Sequence, residues 1–515
     1  MVYKIKLSLY IIVLLLFVSC GQKQTAQNEA ESDLVTLNFV QLNDVYEIAP
    51  LGGGLYGGMA RVAHVVDSLR AINPNTFLFM SGDFLNPSLL GNVTFQGERI
   101  KGRQMIEVMN AMDFTMVTFG NHEFDLTYEA FAQRLNESAF DWVNSNCYHN
   151  DSGVQHLFQR MSGQGVDTIP QTKILTINTG DGAALKIGFF GVTIPSNPKP
   201  YVYYADMYQQ ATWAKNHLEN EGIDVLVGLT HVEIGMDFKI AEQNPSIDLI
   251  LGGHEHNHML FQRGQTIIAK SDANAKNIYV HQLQYQRATK QLTIDSKLIP
   301  INNHTQENPH VASIVRKWDK VLQQELGTVL EDPNAIIYWA EEPLDGRDQQ
   351  SRREQTNLGQ LITQGMAEAF DPPLRAAIVN GGSMRLDDYL FDGVTGIDLF
   401  RVLPFGDGIL QVQLSGALLK EVLSYGDSHM GEGAYLQRFG LAKDVLGQWT
   451  YQGTPIQDAQ KYWVATSEYL LRGYDIPVLT PEHPEVYQVL RPKIEDLSAD
   501  IRKAVIHYLN SLSHD

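Results

Sequence analysis

The sequence predicts an α/β protein of two domains, and three observations carry that expectation. Short apolar runs alternate with stretches of helical spacing through the first half, the pattern of strands and helices stacked in layers. A chain of 515 residues is too long for one ordinary hydrophobic core. Finally, apolar runs in the first half end repeatedly in Asp, Asn or His. Open α/β sheets place their ligands at that end of a strand.

Residues 1–20 read as a targeting segment: Lys4 and Lys6 give a basic start, 7–18 is almost wholly apolar, and Ser19-Cys20-Gly21 follows. This resembles the bacterial lipoprotein processing site, with Phe17 where Leu is usual. It implies an exported protein, lipid-anchored through Cys20 in the bacterial cell envelope, on its periplasmic side or at the cell surface. Residues 21–33 are polar, without periodicity, and read as a flexible tether. With Cys20 lipidated, the second of two cysteines, Cys147, is left alone, so no internal disulfide forms. Cys147 is expected to be a small buried residue rather than a nucleophile. No other apolar run approaches the length of a membrane span.

Residues 34–42 alternate as a first strand and lead into Asn43-Asp44-Val45-Tyr46. Gly52-Gly53-Gly54 and Gly57-Gly58 lack the Gly-Lys-Ser/Thr ending of a P-loop and read as a mobile loop. A helix is expected at 60–72, then a strand at 76–80 ending in Ser81-Gly82-Asp83. A helix at 105–112 precedes a strand at 114–119, which delivers Gly120-Asn121-His122-Glu123-Phe124-Asp125 on a tight turn. Strands follow at 187–192, at 224–229 ending in Thr230-His231, and at 247–251 ending in Gly252-Gly253-His254-Glu255-His256. Helical spacing over 309–330 reads as a connecting helix. The first domain is therefore placed at 34–305, the linker at 306–332, and a second domain at 333–515 with apolar segments at 376–379, 409–414 and 463–466.

The formal net charge of −20 argues against nucleic acid, or an anionic membrane, bound through a basic face. An anionic substrate would need a local offset, which divalent cations supply. Asp44, Asp83, Asn121, His231, His254 and His256 form a ligand set for two such ions side by side. Asp83 is the natural bridging carboxylate. The pair would acidify a shared water, and the resulting hydroxide would attack a phosphorus or carbonyl centre in line. His122 would sit against the transferring group, its ring oriented by Asp125.

The order of these motifs resembles the calcineurin-like metallophosphoesterases, and Gly120 through Asp125 is similar to the 5'-nucleotidase family among them. The second half adds Asn380-Gly381-Gly382-Ser383-Met384-Arg385, Leu403-Pro404-Phe405-Gly406, and Asn357-Leu358-Gly359 behind Arg352 and Arg353. The resemblance implies a four-layer αββα metallophosphoesterase domain, a linker helix, and an α/β (α+β) C-terminal substrate-binding domain that closes over the substrate. It implies two divalent ions, Zn, Mn or Mg. One would take Asp44, Asp83 and His256, the other Asp83, Asn121, His231 and His254. His122 and Asp125 would be the catalytic dyad. Arg385 and one of Arg352 or Arg353 would grip phosphate with planar donor forks. Asn380 would contact the ligand, and Phe405 would stack on a base.

Two departures stand out. Tyr46 occupies a slot where the family has His; a phenol ligates ferric ion as phenolate but is a poor zinc ligand. The first site is thus expected to be weaker or to select another ion. In 466–475 the family's glycine-rich loop is altered: Gly473 and Asp475 fit, and Tyr474 stands in for the second stacking aromatic. The resulting expectation is a hydrolase of nucleoside 5'-phosphates. The alternatives are a phosphoesterase acting on nucleotide-sugars, cyclic nucleotides or non-nucleotide phosphoesters, and a catalytically impaired nucleotide-binding surface lipoprotein.

Overall fold

The computed structural model describes residues 33–163, 165–178, 184–196, 198–327, 330, 332–386 and 388–512. The expected targeting segment, 1–20, and all but the last residue of the expected tether, 21–33, lie outside the described residues. Among the described residues no helix is long and apolar enough to cross a membrane.

Through the first half the elements run β1 (Leu34–Leu42), α1 (Met59–Ile72), β2 (Thr76–Ser81), α2 (Arg103–Ala111), β3 (Met116–Thr118), α3 (Tyr128–Glu137) and β4 (Asp141–Trp142). There follow β5 (Thr172–Asn178), β6 (Ala184–Thr193), α4 (Met207–Asn220), β7 (Val225–His231), α5 (Ile234–Gln243), β8 (Leu249–Gly253), β9 (Met259–Arg263) and β10 (Thr266–Lys270). A long hairpin, β11 (Asn277–Gln286) and β12 (Gln291–Pro300), completes this part.

Two six-stranded sheets result, in the orders β12-β11-β1-β2-β3-β4 and β5-β6-β7-β8-β10-β9. Strands β1 to β4 are parallel, as are β6, β7, β8 and β10. The alternation of side chains along each strand decides the layers. Phe39, Phe79 and Phe189 meet between the sheets, with ring centroids 4.9 Å apart for Phe39–Phe79 and 5.2 Å for Phe79–Phe189. Their neighbours Val40 and Met80 face the other way and pack with Val62 and Val66 of α1 and Met105 of α2. Likewise Phe190 packs with Ala211 and Ala214 of α4 and Ile240 of α5. The four layers are helix, sheet, sheet, helix.

Both parallel sheets therefore end on one edge, and polar side chains tie the two ends together. Gln41 Nε2 donates to the carbonyls of Gly252 and Ala269, 2.9 Å each, and Ser81 Oγ donates to Leu251 O at 2.7 Å. That edge carries the site.

Helix α6 (Pro309–Leu326) starts where Asn308 Oδ1 accepts from Val311 N at 3.0 Å, with Pro309 in its first turn. It buries Val311, Val315, Trp318 and Leu322 and stops at Gly327, short of the expected 330. The second half has a sheet built from β13 (Ala377–Asn380), β14 (Ile409–Ser415), β15 (Leu436–Phe439), β16 (Lys461–Ser467) and β17 (Val486–Leu490), in the order β15-β13-β16-β14-β17. Lys276 Nζ meets both carboxylate oxygens of Asp388 at 2.9 and 2.7 Å, and Tyr56 OH donates to Asp392 at 2.8 Å, joining the halves.

Two local expectations change. The apolar run 114–119 supplies a strand of only three residues, because it begins in the turn after α2 and ends in the turn to Asn121. The glycine-rich stretch is no loose loop. Leu51 and Tyr56 exchange backbone hydrogen bonds of 2.8 and 3.1 Å, and Arg61 Nη2 holds Gly54 O at 2.8 Å.

Candidate metal centre and substrate cleft

Each residue expected to bind metal sits at or just past the C-terminal end of a central strand. Asp44 follows β1, Asp83 follows β2, Asn121 follows β3, His231 ends β7, and His254 with His256 follows β8. Asp44, Asp83 and His254 have φ of +53°, +56° and +84°. Side-chain-bearing residues adopt that left-handed region at a cost, and such strain concentrates at functional sites. Two close approaches also require glycine. A Cβ on Gly120 would lie 2.0 Å from Asp83 Oδ1, and one on Gly253 would lie 2.2 Å from Ser81 O.

Asp44, Asp83 and His231 are buried and offer ligand atoms within 4.8 Å of one another. His256 Nε2 lies 3.5 Å from Asp44 Oδ1. The His254 amide donates to Asp44 Oδ2 at 2.9 Å, and its ring centroid is 5.4 Å from that of His231. Asn121 Oδ1 is buried without a hydrogen-bond partner, and His231 Nε2, 3.1 Å from Asp83 Oδ2, makes no well-aligned bond. Buried polar atoms left without partners are costly. A cation would satisfy both, and carboxylate, amide and imidazole are donors suited to borderline or hard divalent ions. The residues present fit such ions.

Electrostatics separates the histidines. Burial lowers His254 to about 4, helped by the charge of His231. At His231 burial works against protonation, but the carboxylates of Asp83 and Asp44 prevail and push it up to about 9. His231 Nδ1 also lies 2.7 Å from the Ser81 carbonyl, which leaves Nε2 facing the carboxylates. Proton and metal compete for that lone pair. Burial opposes ionisation of Asp44, yet His231 and His256 hold it well below the usual carboxylate range.

Beside this cluster His122 Nδ1 pairs with Asp125 Oδ2 at 2.7 Å, and the His122 amide donates to Asp83 Oδ1 at 2.8 Å. Burial would raise Asp125, but His122, Lys199 and Arg385 bring it down to about 2. Lys199 Nζ lies 3.3 Å from Asp125 Oδ1.

Asp125 and Lys199 also line a cleft of about 480 Å³ whose other wall belongs to the second half: Arg352, Asn380, Arg385, Phe405, Tyr469 and Asp475. Asn380 Nδ2 donates to Asp475 Oδ2 at 2.6 Å, and Tyr469 OH to Asp475 Oδ1 at 3.1 Å. Of the arginine pair, Arg352 lines the cleft, while Arg353 is exposed and does not. Tyr474 is not in the lining either; its ring centroid is 5.4 Å from that of Tyr469. Phe405 is 61% exposed and Tyr469 40%, two large rings left open toward the cleft.

Four residues were missed by sequence reasoning. Glu123 is fully buried and accepts from four amides: Asp83 and Gly120 at Oε2, Phe84 and Leu85 at Oε1, 2.6 to 3.1 Å. Burial and the charge of Asp83 push it up to about 7. Its signal was a Glu between His122 and Phe124, where exposed glutamate has no business. Lys270, also buried, donates to Gly253 O at 2.8 Å, to Val232 O and to Glu255, and pairs with Asp237 Oδ2 at 3.0 Å. It ties the chain after His231 to the chain before His254. A lysine ending an apolar run carried no signal. Lys199 lies in a loop and Tyr469 in the single-turn helix Glu468–Leu471, and neither carried a signal.

Tyr46 is 3% exposed. Its Oη lies 3.1 Å from His256 Nε2, 3.4 Å from Asp44 Oδ1 and 3.5 Å from Asp83 Oδ2. Cys147 is buried, and burial pushes its thiol far above the usual range, as expected of a packing residue.

Compared with known proteins, residues 37–258 match the family model for calcineurin-like phosphoesterase, and residues 336–480 match that for the 5'-nucleotidase C-terminal domain. The chain is 26% identical over 417 residues to the trifunctional nucleotide phosphoesterase protein YfkN of Bacillus subtilis (strain 168), which covers 74% of this chain but only 27% of that one. It is 26% identical over 424 residues to the 5'-nucleotidase of Homo sapiens, covering 75% of this chain and 69% of that one. Among solved structures, the 5'-nucleotidase precursor from Thermus thermophilus aligns with a TM-score of 0.65 at 22% identity, covering 93% of this chain and 97% of that one. That likeness shows a shared fold.

Proposed function

Because the chain belongs to the calcineurin-like phosphoesterases that carry a 5'-nucleotidase C-terminal domain, we propose that it hydrolyses nucleoside 5'-monophosphates with two bound divalent ions. The carrying observation is a buried Asp44–Asp83–His231 cluster, with Asn121 Oδ1 unpartnered, beside a cleft that holds arginines and open aromatic rings. One ion is assigned to Asp44, Asp83 and His256, the other to Asp83, Asn121, His231 and His254. When bound, such ions neutralise phosphoryl charge and lower the pKa of water.

The chain's own residues do the rest. His122 donates to a phosphoryl oxygen or to the leaving oxygen, and Asp125 fixes the ring so that Nε2 faces the substrate. Arg352 and Arg385 present planar forks to phosphate. Phe405 and Tyr469 offer flat faces to a base, which is why nucleotides are preferred here over other phosphoesters. Asn380 and Asp475 bond each other at the foot of that wall and are placed to meet ligand hydroxyls. Tyr474, packed against Tyr469, is assigned to support the wall. We place the first domain at 34–305, the linker at 306–332 and the substrate-binding domain at 333–515, and the halves are taken to move relative to each other. Export and a lipid anchor at Cys20 belong to the same proposal.

The test is phosphate release from a panel: nucleoside 5'-monophosphates, a nucleotide-sugar, a cyclic nucleotide and a simple aryl phosphate, each with Mn, Zn and Mg. Fastest turnover on the 5'-monophosphates is expected. No turnover of any substrate with any ion would leave only a nucleotide-binding protein.

A further inference from the structure

We propose that Lys270 is a positioning residue for the second of the two ions. Its buried ammonium holds the backbone beside His231 and His254 at one spacing, and so sets the affinity of that ion while leaving the first unchanged. This rests on the two-metal reading above and on the ligands assigned there.

A lysine is almost never fully buried unless it is paired. Lys270, the last residue of β10, has no exposed surface, and neither has Asp237 of α5. The ammonium meets oxygens from both ligand loops. Nζ donates to Gly253 O at 2.8 Å, one residue before His254, and to Val232 O, one residue after His231. It pairs with Asp237 Oδ2 at 3.0 Å and with Glu255, one residue after His254. Glu255 in turn accepts from the Ile234 amide, three residues past His231. The two loops are thus bridged twice, through Lys270 itself and through Glu255. The β7–β8 ladder ends at the register pair His231–Gly253. Past that pair the sheet no longer sets the spacing of the loops, and the lysine takes over.

The local sequence leaves room for this arrangement. A Cβ on Gly252 would lie 2.9 Å from Lys270 Cε and 3.2 Å from Asp237 Oδ2. An apolar side chain would fill the same space without the cost of desolvating three charged groups. What the ammonium adds is three directed donors, which fix the carbonyls beside two imidazoles. His256 is anchored separately, by the Ala273 amide donating to its carbonyl at 3.1 Å. Loss of Lys270 is therefore felt at His231 and His254, which are assigned to the second ion and not to the first.

Positioning and plain electrostatics predict opposite signs. A positive charge near a cation site repels the cation, and two carboxylates freed of their lysine attract it. Removing Lys270 should then tighten binding if charge were its whole effect, and weaken it if the lysine holds the ligands in place.

The experiment strips the full chain with chelator and titrates it with Zn(II) and, separately, Mn(II) against a coloured competing chelator. Wild type is expected to bind two ions. Lys270→Met should weaken one of them by about 10- to 100-fold, the cost of losing an outer-shell partner, and leave the other unchanged. Two backgrounds identify the ion. In His256→Ala, where the second site is intact, adding Lys270→Met should weaken its ion by the same factor; in His254→Ala, where the first site is intact, it should change nothing there. Tighter binding in Lys270→Met, equal weakening of both ions, or no change in either would overturn the proposal and leave the two-metal reading standing. Fewer than two ions on wild type with both metals would overturn that reading as well. Should Lys270→Met misfold by circular dichroism, Asp237→Asn keeps the lysine and removes one of its counter-charges. A smaller loss confined to the second ion is then expected, and a loss at the first ion, or none, overturns the proposal.

Discussion

His122 Nδ1 lies 2.7 Å from Asp125 Oδ2, while Nζ of Lys199 approaches the other oxygen of the same carboxylate at 3.3 Å. The imidazole is thereby held in one orientation by a group that stays ionised down to about pH 2. His122→Ala should lower kcat by roughly 10²- to 10⁴-fold, the span of general acid–base catalysis, with metal content unchanged. Asp125→Asn should cost less, since it removes the orienting charge but keeps a hydrogen-bonding group. Steady-state phosphate release checks both. Because Asp125 does not titrate above about pH 4, any limb in the wild-type pH profile near neutrality belongs to another group and should persist in Asp125→Asn.

On the proposed reading, Phe405 and Tyr469, which both line the cleft, set base preference. Stacking on an aromatic ring is worth about 1–3 kcal/mol per base, so Phe405→Ala should raise KM for nucleoside 5'-monophosphates by about 5- to 150-fold. Turnover of a simple alkyl phosphate should stay within about twofold, since it has no aromatic face to stack. Equal loss on both substrates would remove the aromatic wall from recognition.

Glu123 gathers four amides from the turns that carry Asp83 and Asn121. Glu123→Ala leaves these donors without their acceptor, at a cost of about 3–5 kcal/mol measured by urea unfolding. Glu123→Gln keeps one acceptor oxygen and should lose less.

Asp248 gives a pH-dependent stability. Burial pushes it up to about 6, against a partly compensating bond from the Leu226 amide. The folded state thus holds this proton more tightly than the unfolded chain. Its penalty is absent below about pH 4, grows as pH rises toward 6 and is complete above it. Asp248→Asn should therefore stabilise the protein by about 1–2 kcal/mol at about pH 8 and by nothing at about pH 4. Melting curves at the two pH values check the sign.

Much of the candidate site was legible because its candidate ligands sit where apolar periodicity breaks. Asp83 and His231 follow buried runs, and a polar residue there either turns the chain or binds something. Alternation in 34–42 gave β1 to the residue, since Phe39 and Val40 face different layers. The β11–β12 hairpin escaped, because β12 alternates exposed with half-buried residues and carries little apolar signal. The cleft was harder. Which of Arg352 and Arg353 faces it depends on how the turn after 348–351 is seated against the second sheet, and no local pattern records that. Tyr469 rather than Tyr474 lines the cleft, because likeness to a loop picks residues by position, whereas the cleft picks them by direction.

Six separated side chains, Asp44, Asp83, Asn121, His231, His254 and His256, are proposed to hold two cations. Metal analysis of the purified full chain, after dialysis against metal-free buffer and with phosphate release from AMP followed in parallel, tests that assignment most directly. Two ions per chain are expected, with activity lost on chelation, restored by added divalent ion and absent in Asp83→Ala. A chain that turns over AMP with one ion or none, untouched by chelator, would contradict it.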